Sequence, residues 1–194
     1  MSVEAFPPNC ALIEVHVTNL KQLFDSLDPT PFHKRDLDPK AEEFIAGWAR
    51  EIGAEVPLGL LVHADREAHS PKATEIVHTA VRDHFKRRSE VTHRQLRQLF
   101  RQGRISLAIG LAFLAACLVI ADSLEQVAEN WRLLAIVRES LIIGGWVAMW
   151  KPIEVFLYDW WPVRAEARLL DRLSAMNVRV APHDHHAHED EEAG

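Results

Sequence analysis

The chain has 194 residues, a formal net charge of −6, and a composition that is 48% hydrophobic and 26% charged, which is room for one ordinary domain plus additional segments. Its two cysteines, Cys10 and Cys117, lie far apart and form no CxxC pair. Neither a disulfide framework nor a cysteine zinc motif is expected, and a reducing compartment is the default for the N-terminal part.

The opening MSVEAFPPNCALIEV has no basic stretch followed by an apolar one, so no signal peptide is expected. Within ALIEVHV, Ala11 to Val17, residues Ile13, Val15 and Val17 share one face and Glu14 and His16 the other; this alternation predicts a half-buried strand. LKQLFDSL and PKAEEFIAGWAREI both have helical spacing. In the second, Phe44, Ile45, Trp48 and Ile52 form the expected buried stripe, with Asp38 and Pro39 as N-cap and first helical residue. PLGLLVHA, Pro57 to Ala64, predicts a second strand. Ser70-Pro71 opens a third helix whose packing face is Ile76, Val77, Ala80, Val81 and Phe85. The expected order is β-α-α-β-α, a cytoplasmic α/β domain over residues 1–88. Its last helix is expected to run toward the membrane with breaks near Ser89 or Gly103. Two strands make a poor sheet alone, so an edge is expected to pair with a neighbouring subunit.

Residues 89–104 belong to a basic run, HFKRRSEVTHRQLRQLFRQGR. Just ahead of a span, such a run suits anionic lipid headgroups at roughly 1 kcal/mol per well-placed Lys or Arg, so no nucleic acid is expected. ISLAIGLAFLAACLVIA, Ile105 to Ala121, contains no charge, and its Leu, Ile, Val and Phe residues sum to roughly −3 to −5 kcal/mol of insertion free energy. The first span is placed at 105–124, followed by an extracytoplasmic loop at 125–133.

The second span is harder to place because Arg138, Glu139 and Lys151 interrupt it. Centring the helix on Gly145 puts all three about 9 Å from the midplane at 1.5 Å per residue, where Arg and Lys reach the interfaces. That gives a span at 134–155, with the three charges as intramembrane candidates for a functional role. Ala108, Ala112 and Ala116 recur at spacing four in the first span, and Gly144 and Ala148 do so in the second. Small residues at this spacing allow close helix approach in lipid, so these faces are expected to pack.

Residues 156–180 read as an aromatic interfacial stretch followed by an amphipathic helix, VRAEARLLDRLSAM, with Leu169, Leu170, Leu173 and Met176 on one side. Basic residues concentrate before the first span and after the second, from Arg82 to Arg104 and from Arg164 to Arg179. The positive-inside rule therefore places both termini in the cytoplasm.

SLDPTPFHKRDLDPKAEEFIAGWARE, Ser26 to Glu51, resembles a segment of uncharacterised bacterial membrane proteins that have an N-terminal cytoplasmic region and paired spans. The resemblance extends into GRISLAIGLAF and LIIGGWVAMWKPIEVFLYDWWP. It implies architecture and a bacterial inner membrane; the family has no established activity to carry over.

Three groups of residues have metal or acid–base potential. Asp25, Asp28, His33, Asp36 and Asp38 crowd one Pro-rich segment, where Asp-Pro pairs equally serve turns and caps. His16 and His63 approach each other if their strands pair, but two imidazoles are too few for a structural zinc site without further ligands. The tail at 181–194 is expected to be disordered. Its His183, His185, His186 and His188 suit weak zinc or nickel binding, and no other cofactor is expected. No P-loop, Rossmann glycine pattern, GxSxG or HExxH motif occurs. The resulting expectation is a non-enzymatic inner-membrane scaffold or interaction module that self-associates and recruits a protein partner. The alternative is a subunit of a small oligomeric channel or transporter.

Overall fold

A computed structural model of the chain describes residues 6–7, 9–25, 36–64, 71–128 and 132–182. The elements are β1 (Ala11–Val17), α1 (Pro39–Glu51), β2 (Leu58–Ala64), α2 (Pro71–Ala128), α3 (Arg132–Ala148), α4 (Trp150–Glu154), α5 (Trp160–Ala175) and β3 (Asn177–Pro182). They form two compact units. One holds the described residues up to Val91 and from Glu166 onward; the other is Thr92–Ala165. The boundaries fall inside α2 and α5, not in loops.

The first unit is built on a three-stranded, wholly parallel sheet in the order β1-β2-β3. The expected two-strand domain is therefore corrected. The third strand, NVRVAP, comes from beyond both apolar helices, so the segment that forms the second unit is an excursion within the β2-to-β3 connection. A parallel pair requires a long crossover, and here that crossover includes two helices long and apolar enough to cross a membrane. Only 17% and 11% of their most apolar windows are buried, which is not the condition of helices filling a soluble core.

Ile13, Leu60, Val62 and Val178 bring one face of the sheet into the core. There they join Ile45 and Ala49 of α1, Val77, Val81 and Phe85 of α2, and Leu169, Leu170 and Leu173 of α5. The helix VRAEARLLDRLSAM thus presents its leucines to this core. Polar clamps hold it there. Ser89 donates to Asp171, Arg82 Nε donates to the Ser174 carbonyl at 2.9 Å, and Arg172 Nη2 donates to the carbonyls of Gly53 and Val56, each at 2.9 Å. Ser89 does not break the helix; α2 is continuous through it and through Gly103.

Two local expectations change. The described residues of LKQLFDSL form a 3-10 turn, Leu20–Leu23, opened by Asn19, whose side chain accepts from Lys21 N. The chain is then drawn into an antiparallel bridge between Phe24 and Leu37. On α1, Asp38 caps the helix as expected by accepting from Lys40 N. The buried face, however, is Ile45, Ala46 and Ala49, whereas Phe44 and Trp48 are 46% and 53% exposed. Alanines let the helix approach the core closely, and that turns the aromatics outward.

In the second unit, the seam between α2 and the α3–α4 arm also differs from the expected one. Gly103, Gly110 and Cys117 are buried at heptad spacing, with Ala121 buried and Leu114 partly buried beside them. A Cβ on Gly145 would lie 2.8 Å from Leu114 Cδ1, one on Gly110 would lie 3.1 Å from Met149 Sδ, and one on Gly103 would lie 2.8 Å from Val155 Cγ1. Ala108, Ala112, Ala116 and Gly144 are exposed, and nothing lies within 4 Å of a Cβ added to Gly144. The physical reason is periodicity. A spacing of four drifts about 40° per step around an α-helix, whereas a spacing of seven drifts only about 20° and stays on the seam. Ala148 is partly buried, and its carbonyl backs Gly110.

The second arm does not run straight. Pro152 removes an amide and its ring crowds the Ala148 carbonyl, so α3 ends at Ala148 and α4 begins after Met149. A π-helical turn, Val155–Asp159, lies one turn ahead of Pro162, consistent with the same crowding of the Tyr158 carbonyl. Residues 156–180 thus comprise most of this turn, α5 and the first residues of β3.

Candidate functional site

The pleat sends alternate residues to opposite faces of the sheet. Opposite the core-facing set lie Leu12, Glu14 and His16 on β1, Leu61 and His63 on β2, and Arg179 on β3. Leu12 is 44% exposed, Glu14 and His16 are exposed, and Leu61, His63 and Arg179 are half-buried. The N-terminal segment reaches part of this face. A Cβ on Gly59 would lie 2.7 Å from Phe6 Cε1 and 2.9 Å from Cys10 Sγ, and the Arg179 guanidinium sits 4.6 Å from the Phe6 ring centre. Burial there pushes the Cys10 thiol above its ordinary value, which makes it a poor nucleophile.

Parallel register fixes what meets on this face. Glu14, Leu61 and Arg179 occupy one row across the three strands, and His16 and His63 are direct partners in the next. The two imidazoles stack with centroids 4.5 Å apart and planes 11° apart. Glu14 Oε2 lies 3.7 Å from His63 Nε2. One ligand atom from each of Glu14, His16 and His63 falls within 4.8 Å of the others. The pairing of the two histidines was legible in the sequence; Glu14 as a third donor and Arg179 as a charge on the far strand were not. Two signals were available: Glu14 precedes His16 by two residues, and Val178-Arg179-Val180 alternates as a strand does.

A second polar cluster links the Asp36–Leu37 segment, α1 and α2. His84 is 5% exposed. Its Nε2 is 3.2 Å from Glu42 Oε2, and its Nδ1 is 3.1 Å from Asp36 Oδ1 and 3.3 Å from the Leu37 amide. The neutral ring accepts from that amide and donates to Glu42, whereas the protonated ring bridges both carboxylates. Arg87 also binds Asp36, and Arg88 Nε donates to Glu42 Oε1 at 2.9 Å. Burial alone would raise the Asp36 carboxyl, but hydrogen bonds from Arg87 and His84 hold it below its ordinary value. Asp36 and Asp38 therefore have structural partners, while Asp28 and His33 lie outside the described residues, as do His183, His185, His186 and His188.

Of the charges near the apolar helices, Lys151 pairs with Glu154 at 3.0 Å and with Asp159 at 3.8 Å. Arg138 is half-buried and Glu139 exposed.

The chain matches no family model, no curated protein and no solved structure. What the fold itself defines is a helix-rich protein with a small three-stranded parallel sheet and two helices long and apolar enough to cross a membrane.

Proposed function

We propose that this protein is a non-enzymatic, membrane-anchored interaction module of a bacterial inner membrane, with its α/β unit on the cytoplasmic side, and that it self-associates through the outer, partly exposed face of its sheet. The observation that carries this reading is the row Glu14–Leu61–Arg179 on a parallel sheet whose other face is in the core. Parallel sheets are almost always covered on both faces. A two-fold axis running along β2 between two such faces brings β1 of one copy over β3 of the other. It thereby sets Glu14 against the partner copy's arginine at position 179, and Leu61 against its own equivalent. Opposite charges at the two ends of one row and an apolar residue at its centre make the face self-complementary, as a two-fold interface requires.

The apolar hairpin supports anchoring more than conduction. Its exposed side chains include Leu133, Ile136, Val137, Ile143, Trp146 and Val147, a surface for lipid and not for a polar lumen. Basic residues flanking both apolar helices support the cytoplasmic placement of the α/β unit.

Charge exchange tests the interface. Glu14→Arg and Arg179→Glu should each weaken self-association of the detergent-solubilised chain by about tenfold or more, through like-charge apposition. The double exchange should restore it. Single reversals without effect on mass, read by analytical ultracentrifugation, would sink the proposed interface.

A further inference from the structure

We infer that Glu14, His16 and His63 form a binding site for a borderline divalent transition-metal ion of the Zn²⁺ type. The site lies within one chain, so it stands whether or not a second copy covers the same face. The donors are held by the sheet itself. Parallel register sets His16 beside His63, and the two-residue pleat returns Glu14 to their side.

Their chemistry and spacing suit such an ion. A tetrahedral ion with bonds of about 2.0–2.1 Å needs donor atoms about 3.3 Å apart. Glu14 Oε2 and His63 Nε2 are already at 3.7 Å, and the full set falls within 4.8 Å. The imidazole lone pairs lie in ring planes only 11° apart, so binding requires at least one ring to turn about χ1 and χ2 and aim its nitrogen at the ion, a side-chain change that leaves the strands in place.

The donor set also selects among ions. Two imidazoles and one carboxylate fit zinc, cobalt or nickel. They do not fit calcium or magnesium, which need a larger, all-oxygen shell. Three protein donors leave one coordination position open to water or to an incoming group. Leu12 and Leu61 flank the cluster on the same face.

The test uses the full chain in detergent with His183, His185, His186 and His188 all changed to Ala, so that tail imidazoles cannot report. Zn²⁺ titration by calorimetry should give one ion per chain, and Co²⁺ should give the intense visible bands of a four-coordinate site. His63→Ala or His16→Gln in that background should weaken binding by about a hundredfold or more, since even supporting residues around metal ligands cost 10–100-fold. Circular dichroism on each variant checks that the fold persists. Arg179→Glu, which disrupts the proposed self-association row, should leave ion binding unchanged. Loss of all binding with the tail histidines would overturn the site. So would unchanged affinity in a correctly folded His63→Ala protein, or loss of the ion in Arg179→Glu.

Discussion

Gly145 and Leu114 meet so closely that a Cβ on the glycine would lie 2.8 Å from the leucine Cδ1 and 3.3 Å from the Cβ of Cys117. The neighbouring Gly144 has open space at the same test. One residue, about 100° of helix rotation, thus separates a seam position from an outward one.

Gly145→Leu should therefore break the pairing of α2 with α3, whereas Gly144→Leu should leave it intact. Gly110→Leu should behave like Gly145→Leu, because Met149 and the Ala148 carbonyl back it. Cysteine crosslinking between the Gly103 and Val155 positions, run in each background, measures the pairing. Equal effects of the two α3 substitutions would reject the seam.

The α/β unit should depend on residues that follow the second apolar helix. Leu173 is fully buried in the core beneath the sheet. Leu173→Ala should cost about 2–5 kcal/mol, the usual penalty for an unfilled leucine site. Hydrogen exchange at the amides of Leu60, Leu61 and Val62 should then accelerate, although these residues lie far away in sequence. No acceleration would mean that β2 is stable without α5 and β3.

Acid should weaken the clasp around His84 through Asp36. The Asp36 carboxyl is held below its ordinary value, with the lowering contributions of Arg87 and His84 exceeding the opposing effect of burial. A depressed carboxylate contributes stability that is complete above its unfolded value of about 3.9 and is lost as pH falls through the folded value. Asp36→Asn should remove that part of the acid sensitivity. The change should be well under about 1 kcal/mol, because an exposed ion pair is screened by solvent. His78 acts at higher pH. Burial, assisted by Arg82, lowers its value, so stability should decline as pH falls below about 6.5. His78→Gln should flatten that window. Melting midpoints measured between pH 7 and 3 separate the two contributions.

The proposed membrane topology rests on the distribution of arginines and is open to labelling. A cysteine introduced at Gln126 should react with an impermeant maleimide added outside intact cells. Cysteines at Ser2 and Gly194 should react only after permeabilisation. The reverse pattern would reject the proposed orientation.

The tail offers a last expectation. A chelator built from one short sequence tract must order its chain on binding, and its imidazoles must be unprotonated. Metal held by His183, His185, His186 and His188 should therefore be weak and should weaken further below about pH 6. Calorimetry that found the tail binding tightly and selectively would contradict this.

Local pattern determined much of this protein by itself. The alternation of Ile13, Val15 and Val17 specified a strand and its inward face. Asp38-Pro39 specified a helix start, and the uncharged run from Ile105 specified a helix that water does not favour. Each depends on neighbours within one or two turns or on one pleat, so periodicity is sufficient information. The third strand, the helix seam and the Glu14–His16–His63 cluster depend on residues brought together from distant parts of the chain. A spacing rule could not choose Gly145 over Gly144, because both satisfy a small-residue pattern and only the partner's side chains distinguish them. Nor could it place Arg179 level with Glu14, because register across β2 is set by how the whole core packs beneath the sheet. Tertiary structure decided those positions because close packing admits one arrangement where composition admits several.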